Sequence, residues 1–156
     1  LANDLSTSFK DAGEFIDNYF RLYPEVKQYM ESVTEYLKEY GRVPIIHGLT
    51  RHFKNYNSAN NMLKKNLERA AINTPIQGIA AHIMKLAMIA VSDALKSAGL
   101  KSRLILQVHD ELLLEAPEDE LETVKSLVKE RMENVVELSV PLVVDVGFAK
   151  NWGGAH

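Results

Sequence analysis

The segment Arg103–Glu115, with the sequence RLILQVHDELLLE, carries the clearest β-structure signal in this chain. Two runs of apolar and β-branched residues, Arg103–Val108 and Leu112–Glu115, flank the tripeptide His109-Asp110-Glu111. Two such runs around a short polar segment are typical of an antiparallel hairpin that carries the polar residues at or near its turn. The sequence therefore predicts two strands joined by an acidic turn.

Helices are predicted upstream of this hairpin. Residues 8–20 and 24–40 carry apolar side chains at helical spacing, with Pro24 suited to a first turn and Gly41 to a C-terminal exit. Residues 43–49 contain β-branched residues, a proline and a glycine, which predicts an extended segment bounded by turns. The first part of the chain is therefore expected to be mainly helical.

Two further helices are predicted before the hairpin. A polar helix begins at the capping residues Asn57-Ser58 and reaches about Ala71. Asn73-Thr74-Pro75 then separates it from an apolar helix that runs from Ile76 to about Ala98, with Thr74 as cap and Pro75 in the first helical position.

The chain after the hairpin predicts an amphipathic helix over residues 118–136 and a last strand over residues 140–146. Hairpin-connected strands with helices on one face indicate the α+β class. Three strands make only a small antiparallel sheet, and we expect an upstream segment to complete it.

Composition and charge narrow the classes of function. The 156 residues are 46% hydrophobic and 25% charged, as in folded globular proteins. Cysteine is absent, which excludes disulfides and thiolate metal sites. No apolar run approaches the roughly 20 residues that cross a bilayer, so no membrane span is expected.

The net charge of −3 conceals a segregation of charge. Five basic residues and one acidic residue lie between Arg51 and Arg69, whereas seven acidic residues and no basic one lie between Asp110 and Glu122. Such segregation is expected where one surface meets phosphates and another holds cations, although solvated helix faces produce the same pattern.

Asp110 and Glu111 are the residues most suited to chemistry. Carboxylate oxygens are ligands that Mg²⁺ prefers, and Mg²⁺ commonly takes one or two protein carboxylates together with substrate phosphates. By themselves, however, the residues His109-Asp110-Glu111 favour a solvated acidic turn in which His109 pairs with a carboxylate.

Several segments, in order along the chain, resemble family A DNA polymerases. Gln107–Leu112 (QVHDEL) resembles the palm signature of that family, and Glu68–Gly78 (ERAAINTPIQG) resembles the helical segment that contacts template and primer. Further similarity lies in Leu1–Leu5, Phe15–Phe20 and Val140–Leu142, and in Asn151-Trp152 with the terminal Ala155-His156. The resemblance covers essentially all 156 residues.

This resemblance implies roles for individual residues. Asp110 corresponds to the family's metal-binding aspartate, Glu111 to its acidic neighbour with a lesser role, and His109 to a contact with the primer terminus. Asn73 and Gln77 would share a helix face if the helix is continuous across Pro75, and would meet base edges in the minor groove. The remaining DNA contacts expected are Gln107, Arg69, Lys64 and Arg51, with added sequence-independent affinity from Lys65.

The resemblance also implies an organisation and a set of partners. Residues 1–70 would form a fingers-side segment with the connection to the palm, and residues 71–156 the C-terminal palm portion. The implied activity is template-directed transfer of a nucleotide from a dNTP to a primer 3′-hydroxyl. The partners would be primer-template DNA, a dNTP and Mg²⁺, without a membrane. The expected location is cytoplasmic, in a bacterial cell or, for a phage protein, in its host.

The sequence departs from the family pattern in three places. After Gly48 the family has consecutive basic residues, of which Arg51 alone is retained, and His82 stands where the family commonly has an acid. The second metal-binding aspartate and the fingers helix that holds the triphosphate do not occur in this sequence. We therefore expect these residues to act only with an upstream segment, either of the same chain or of a separate one.

Two other functions compete with this interpretation. A DNA-binding module could retain the primer-template cleft without turnover, in which case Asp110 would be dispensable. A metallohydrolase could use His109 and Asp110, but no second histidine stands at metal-ligand spacing from them.

Overall fold

A computed structural model describes residue 6 and residues 8–155, in which helices predominate over two small antiparallel sheets. This is the predicted α+β class. The helices are α1 (Phe9–Leu22), α2 (Pro24–Tyr40), α3 (Asn61–Ser97) and α4 (Leu121–Glu133), and the strands are β1 (Arg42–Pro44), β2 (Thr50–His52), β3 (Arg103–Val108) and β4 (Glu111–Glu115). Short 3₁₀ turns lie at Glu118–Glu120 and Trp152–Gly154.

The described residues form two compact units, one ending at Gln77 and the other beginning at Gly78. The first contains α1, α2, the β1–β2 sheet and the first part of α3. Its core is made by side chains of α2, β1, the turn segment after β2 and α3. The buried members of this core are Val33, Leu37, Val43, Phe53, Tyr56 and Ala71.

Local signals explain why α1 and α2 begin and end near the predicted positions. The Ser8 hydroxyl accepts a hydrogen bond of 3.1 Å from the backbone N–H of Asp11 and caps α1. Gly41 ends α2 in the left-handed conformation, with φ of +62°, and its N–H donates to the Leu37 carbonyl at 2.8 Å. Both helix predictions are confirmed.

The predicted break at Asn73-Thr74-Pro75 is wrong, because α3 runs without interruption from Asn61 to Ser97 with Pro75 inside it. Thr74 is not a cap, since its hydroxyl donates to the Ala70 carbonyl within the same helix. The predicted start at Asn57-Ser58 is also wrong. Asn60 provides the cap instead, and its Oδ1 accepts from the Leu63 N–H at 2.9 Å.

The second unit packs the β3–β4 hairpin and α4 against the later part of α3. Its buried core consists of Val91, Leu95, Val124 and Val128. Leu112 and Leu114 of β4 pack against this core from the hairpin. The alternation of these two leucines along the strand explains why one face of the hairpin is covered.

Residues 140–146 form no ladder with another strand in the described part of the chain, so the predicted last strand is wrong. The two-residue alternation is nevertheless present, with Leu142, Val144 and Val146 partly buried. The N–H of Val144 donates to the Glu133 carboxylate at 3.0 Å instead of to a neighbouring strand. A β-strand is defined by hydrogen bonds to a neighbouring strand, whereas the sequence pattern indicates only the alternation of buried and exposed side chains.

One helix of the described residues is long and apolar enough to cross a membrane by length and composition. It is α3, whose apolar window has a mean hydropathy of 1.5 and is 22% buried. Core helices of soluble proteins pass the same test, so this finding is weak evidence for a membrane span.

Candidate functional site

Four exposed polar side chains follow one another along α3. Arg69, Asn73 and Gln77 are each four residues apart, and Lys65 extends the series by one further step. Residues four apart lie on the same side of a helix, and twelve residues span about 18 Å. Because α3 is continuous across Pro75, the condition for Asn73 and Gln77 to share a face is met. We call these four residues the α3 row.

The structure separates Lys64 from this row. Its side chain is partly buried, and its Nζ lies 5.8 Å from the centroid of the Tyr56 ring. This cation–π contact directs Lys64 towards Tyr56, whereas the neighbouring Lys65 is exposed. Lys65 therefore extends the row in the place where the sequence favoured Lys64.

Arg51 lies on β2, and its guanidinium contacts the Thr74 side chain of α3. Its Nη1 donates to the Thr74 hydroxyl at 3.3 Å, and its guanidinium carbon lies 5.2 Å from the centroid of the Phe53 ring. The guanidinium carries five N–H donors, so the bond to Thr74 leaves most of them available. Arg51 is exposed despite these contacts.

Two tyrosine hydroxyls form hydrogen bonds to α3 next to the residues of the row. The Tyr29 hydroxyl donates to the Ile72 carbonyl at 3.0 Å, and the Tyr56 hydroxyl donates to the Glu68 carboxylate at 2.7 Å. Burial raises the pKa of Tyr29. Burial, assisted by the hydrogen bond to Glu68, raises the pKa of Tyr56 to about 12. Both hydroxyls therefore remain protonated donors near neutral pH.

The acidic hairpin residues lie in the second unit. Val108 pairs with Glu111, which leaves His109 and Asp110 as a two-residue turn and places Glu111 at the start of β4. His109 has a φ of +51°, in the left-handed region that non-glycine residues rarely adopt. The Gln107 side-chain amide donates to the His109 carbonyl across this turn. We call Gln107, His109, Asp110 and Glu111 the hairpin tip.

All four residues of the hairpin tip are exposed. The hairpin also contains an irregularity, because Leu104 pairs with Leu114 and Leu106 with Leu113, so that Ile105 is an additional residue on β3. Such bulges bend and twist a strand and are frequent beside functional sites. The tip thus projects two adjacent carboxylates from a hairpin whose other end is anchored in a core.

Glu120 fastens the segment that leads into this hairpin. Its carboxylate accepts hydrogen bonds from the N–H groups of Lys101 and Ser102, both at 2.9 Å, and from the Ser102 hydroxyl at 2.6 Å. The Lys101 N–H, followed by the Ser102 hydroxyl, holds the pKa of Glu120 below its ordinary value. These bonds hold the chain just before β3.

The donor chemistry of the hairpin tip fits a magnesium site only in part. Asp110 and Glu111 supply hard oxygen ligands, and both are accessible. Within residues 6 and 8–155, no group of three or more His, Asp or Glu side chains could hold a metal ion. By themselves, the two carboxylates of the tip can supply only part of a coordination shell.

The sequence did not reveal the hydrogen bonds that four side chains make to α3 or to the segment before β3. These side chains are Thr74, Tyr29, Tyr56 and Glu120. The sequence places Thr74 directly before a proline, and this position suggested a cap. A threonine hydroxyl can also donate to the carbonyl four residues earlier, which is what Thr74 does. The long-range bonds of Tyr29 and Glu120 have no comparable local signal.

The basic and amide side chains of the α3 row are of the kind that bind phosphates and base edges, and the carboxylates of the hairpin tip are of the kind that bind cations. Comparison with known proteins gives the family directly. The model of DNA polymerase family A matches residues 1–154. The chain belongs to DNA polymerase family A.

Individual relatives agree with this assignment. The chain is 50% identical over 152 residues to DNA polymerase I of Caldicellulosiruptor bescii, covering 97% of this chain and 18% of the relative. It is 46% identical to DNA polymerase I of Bacillus caldotenax, covering 97% and 17%, and 44% identical to that of Deinococcus radiodurans, covering 97% and 16%. The chain thus spans less than a fifth of the length of these curated relatives.

A solved structure has the same fold. It is the POL domain of Pol1 from M. smegmatis in complex with DNA primer-template and dNTP, with a TM-score of 0.90 and 41% sequence identity. The similarity covers 99% of this chain and 27% of that one.

Proposed function

We propose that this chain is the C-terminal part of the catalytic domain of a DNA-directed DNA polymerase, a nucleotidyltransferase. The observation that carries the proposal is the family match over residues 1–154, which includes both the α3 row and the hairpin tip. Residues 1–70 would then belong to the fingers side and its connection, and residues 71–156 to the palm. The proposed location is cytoplasmic.

The proposed partners are primer-template DNA and a dNTP. These are the ligands named for the M. smegmatis POL domain, whose fold this chain shares. The third proposed partner is an upstream polymerase segment, because the chain spans only 16–18% of its relatives' length. The incoming triphosphate would be held mainly by that segment.

The α3 row is proposed to hold the primer-template duplex. Lys65 and Arg69 carry positive charge that binds phosphates regardless of sequence, and Lys64 and Arg51 add to it. The exposed amides of Asn73 and Gln77 can donate hydrogen bonds to the purine N3 and pyrimidine O2 atoms of the minor groove. These acceptors are common to all base pairs, so the strength of the contact depends on the geometry of the base pair and not on its sequence.

The hairpin tip is proposed to meet the primer end. Asp110 would bind Mg²⁺, Glu111 would act as a second or indirect ligand, and His109 and Gln107 would contact the terminal nucleotide. A bound metal pair would stabilise charge on the attacking and leaving oxygens of nucleotidyl transfer. The second aspartate of the metal site is proposed to come from outside these residues.

The first test is primer extension by the 156-residue chain with and without the upstream polymerase segment of its own gene. We expect Mg²⁺-dependent extension only when both parts are present. Robust synthesis by the 156 residues alone would refute the requirement for the upstream segment.

The second test replaces Asp110 with alanine in the complete polymerase. Extension should fall on the order of 10³-fold, equivalent to about 4 kcal/mol of transition-state stabilisation, while DNA binding persists. Asp119→Ala is the matched control, because Asp119 lies in the same acidic stretch but beyond the hairpin. Unchanged synthesis by Asp110→Ala would refute the proposed role of Asp110 in metal binding, whereas DNA binding without any synthesis by the unsubstituted polymerase would favour a DNA-binding module without turnover.

A further inference from the structure

Pro75 lies inside a helix that continues on both sides of it. A proline has no N–H, so it cannot donate to the carbonyl of Ala71, and its ring crowds the preceding turn. Interior prolines therefore kink or break most helices. In this chain α3 continues from Asn61 to Ser97 without interruption, and the residues around Pro75 must be held by other contacts.

Three side-chain hydrogen bonds meet α3 in the turn before Pro75. Thr74 Oγ1 donates to the Ala70 carbonyl at 2.7 Å and accepts from Arg51 Nη1 at 3.3 Å. The Tyr29 hydroxyl donates to the Ile72 carbonyl at 3.0 Å. Two separate elements, β2 and α2, are thereby joined to Thr74 and Ile72 of α3.

We call the bonds that Tyr29, Arg51 and Thr74 make to α3 the brace, and Thr74 is its centre. Its side chain is only 3% exposed, so its hydroxyl is removed from water and depends on the two bonds it makes. A hydroxyl has one donor and can accept as well, and here it does both. Replacing the hydroxyl with a methyl group would release Arg51 and the Ala70 carbonyl together.

The exposed amides of Asn73 and Gln77 flank this braced turn. Asn73 directly precedes Thr74, and Gln77 follows Pro75 by two residues. Their separation and relative direction therefore depend on the helical geometry at Pro75. A change of pitch there would move one amide relative to the other.

We propose that Tyr29, Arg51 and Thr74 are positioning residues that set the distance between the Asn73 and Gln77 amides and so determine how strictly the polymerase examines the primer end. This inference rests on the proposed function. The two amides must meet two minor-groove acceptors at once, and a mismatched pair displaces one of them. A brace that fixes the amides makes that displacement costly, whereas a loosened brace tolerates it.

The test is primer extension by the complete polymerase on three primer ends: matched, mismatched, and matched with a terminal 3-deazapurine that lacks the N3 acceptor. The variants are Thr74→Val, which removes the hydroxyl at nearly constant shape, and Tyr29→Phe, which removes a single bond. Thr74→Ser retains the hydroxyl and serves as the rescue variant. Tyr56→Phe is the matched control, because it loses a hydroxyl bond to α3 at Glu68 and not beside Pro75.

Thr74→Val should slow extension of the matched end on the order of tenfold or more, because small misplacements of positioning groups have large kinetic effects. It should also lose most of the dependence on the N3 atom and extend mismatched ends relatively better. Thr74→Ser and Tyr56→Phe should retain the wild-type ratios. Adding Arg51→Gln to Thr74→Val should change these ratios no further.

A purely structural role would slow all three primer ends by the same factor, and that result would overturn the inference. Tyr29→Phe keeps the test decisive if Thr74→Val does not fold, since it should shift the same ratios by a smaller factor. Unchanged ratios in Tyr29→Phe would then refute the proposal. Failure of the unmodified polymerase to extend any primer would instead refute the proposed function.

Discussion

The α3 row and the hairpin tip are supported in different ways. Beneath the row lie buried side chains and hydroxyl bonds, including Leu37, Thr74 and Tyr56. The hairpin tip is exposed throughout and is held by the Gln107 amide at the turn. The proposed functions account for this difference, because a surface that examines DNA geometry would have to keep its own geometry, whereas metal-binding carboxylates would take their final positions from the cation and its other ligands.

The largest effect on stability is expected where the row rests on the core. Leu37 is fully buried and shares a cluster with Ala71 of α3. Leu37→Ala should lower the free energy of unfolding by about 2–5 kcal/mol, measured by urea unfolding followed by far-ultraviolet circular dichroism. The control is Leu22→Ala, since Leu22 is 70% exposed and should lose less than about 0.5 kcal/mol. Equal losses would contradict the importance of this core.

Much of this core could be predicted from the sequence, because helical periodicity depends on local spacing. The helices α1 and α2 and the hairpin strands were located correctly for that reason. The break at Pro75 was wrong because its local signal is overridden by tertiary contacts from Tyr29 and Arg51. The strand over residues 140–146 was wrong because pairing depends on a neighbour, which a single segment does not specify.

The candidate site could be predicted from the sequence only in part. The acidic tripeptide is a contiguous motif, and it indicated the hairpin tip only in combination with the resemblance to the polymerase family. Its roles in metal and primer binding remain predictions. The brace around Thr74 joins residues 29, 51 and 74, whose proximity exists only after folding. No local pattern reports such a contact.

A smaller effect is expected from Tyr56→Phe, which removes the hydrogen bond to Glu68 under the row. The free energy of unfolding should fall by about 1 kcal/mol near neutral pH. Since folding raises the pKa of Tyr56 from 10.0 to about 12, its contribution is complete below about pH 10 and is lost as the pH rises towards 12.

Urea unfolding across the alkaline range would measure this contribution. The wild type should lose stability between the two pKa values of Tyr56, and Tyr56→Phe should lack that part of the decline. Tyr23→Phe is the control, because Tyr23 is exposed. An identical alkaline profile for wild type and Tyr56→Phe would show that the hydroxyl does not support the row.

Glu120 is expected to make the stability of the second unit depend on acidic pH, because its carboxylate holds the segment before β3. Folding lowers the pKa of Glu120 from its ordinary value of 4.5, chiefly through the Lys101 N–H and then the Ser102 hydroxyl. Its contribution to stability is therefore present above about pH 4.5 and is lost as the pH falls through the lowered value. Glu120→Gln should remove this acid dependence and slightly destabilise the second unit at neutral pH.

Amide hydrogen exchange at Lys101 and Ser102 would locate the effect. Exchange should accelerate in Glu120→Gln, and Glu118→Gln, in the same 3₁₀ turn, should leave it unchanged. Protection that is equal in all three proteins would mean that the carboxylate does not fasten the entry to β3.

The smallest effect is expected at the base of the hairpin, where Arg103 and Glu115 form an ion pair across β3 and β4. The Arg103 Nε and Nη2 atoms lie 2.8 and 2.7 Å from the Glu115 Oε2, but the side chains are 73% and 59% exposed. Exposed pairs contribute about 0.2–1 kcal/mol and are screened by salt. A double-mutant cycle of Arg103→Ala and Glu115→Gln, repeated at low and high salt, should give a coupling in this range that shrinks as salt rises. A large, salt-independent coupling would mean that the hairpin is held as firmly as the row, and the contrast between the two regions would then no longer hold.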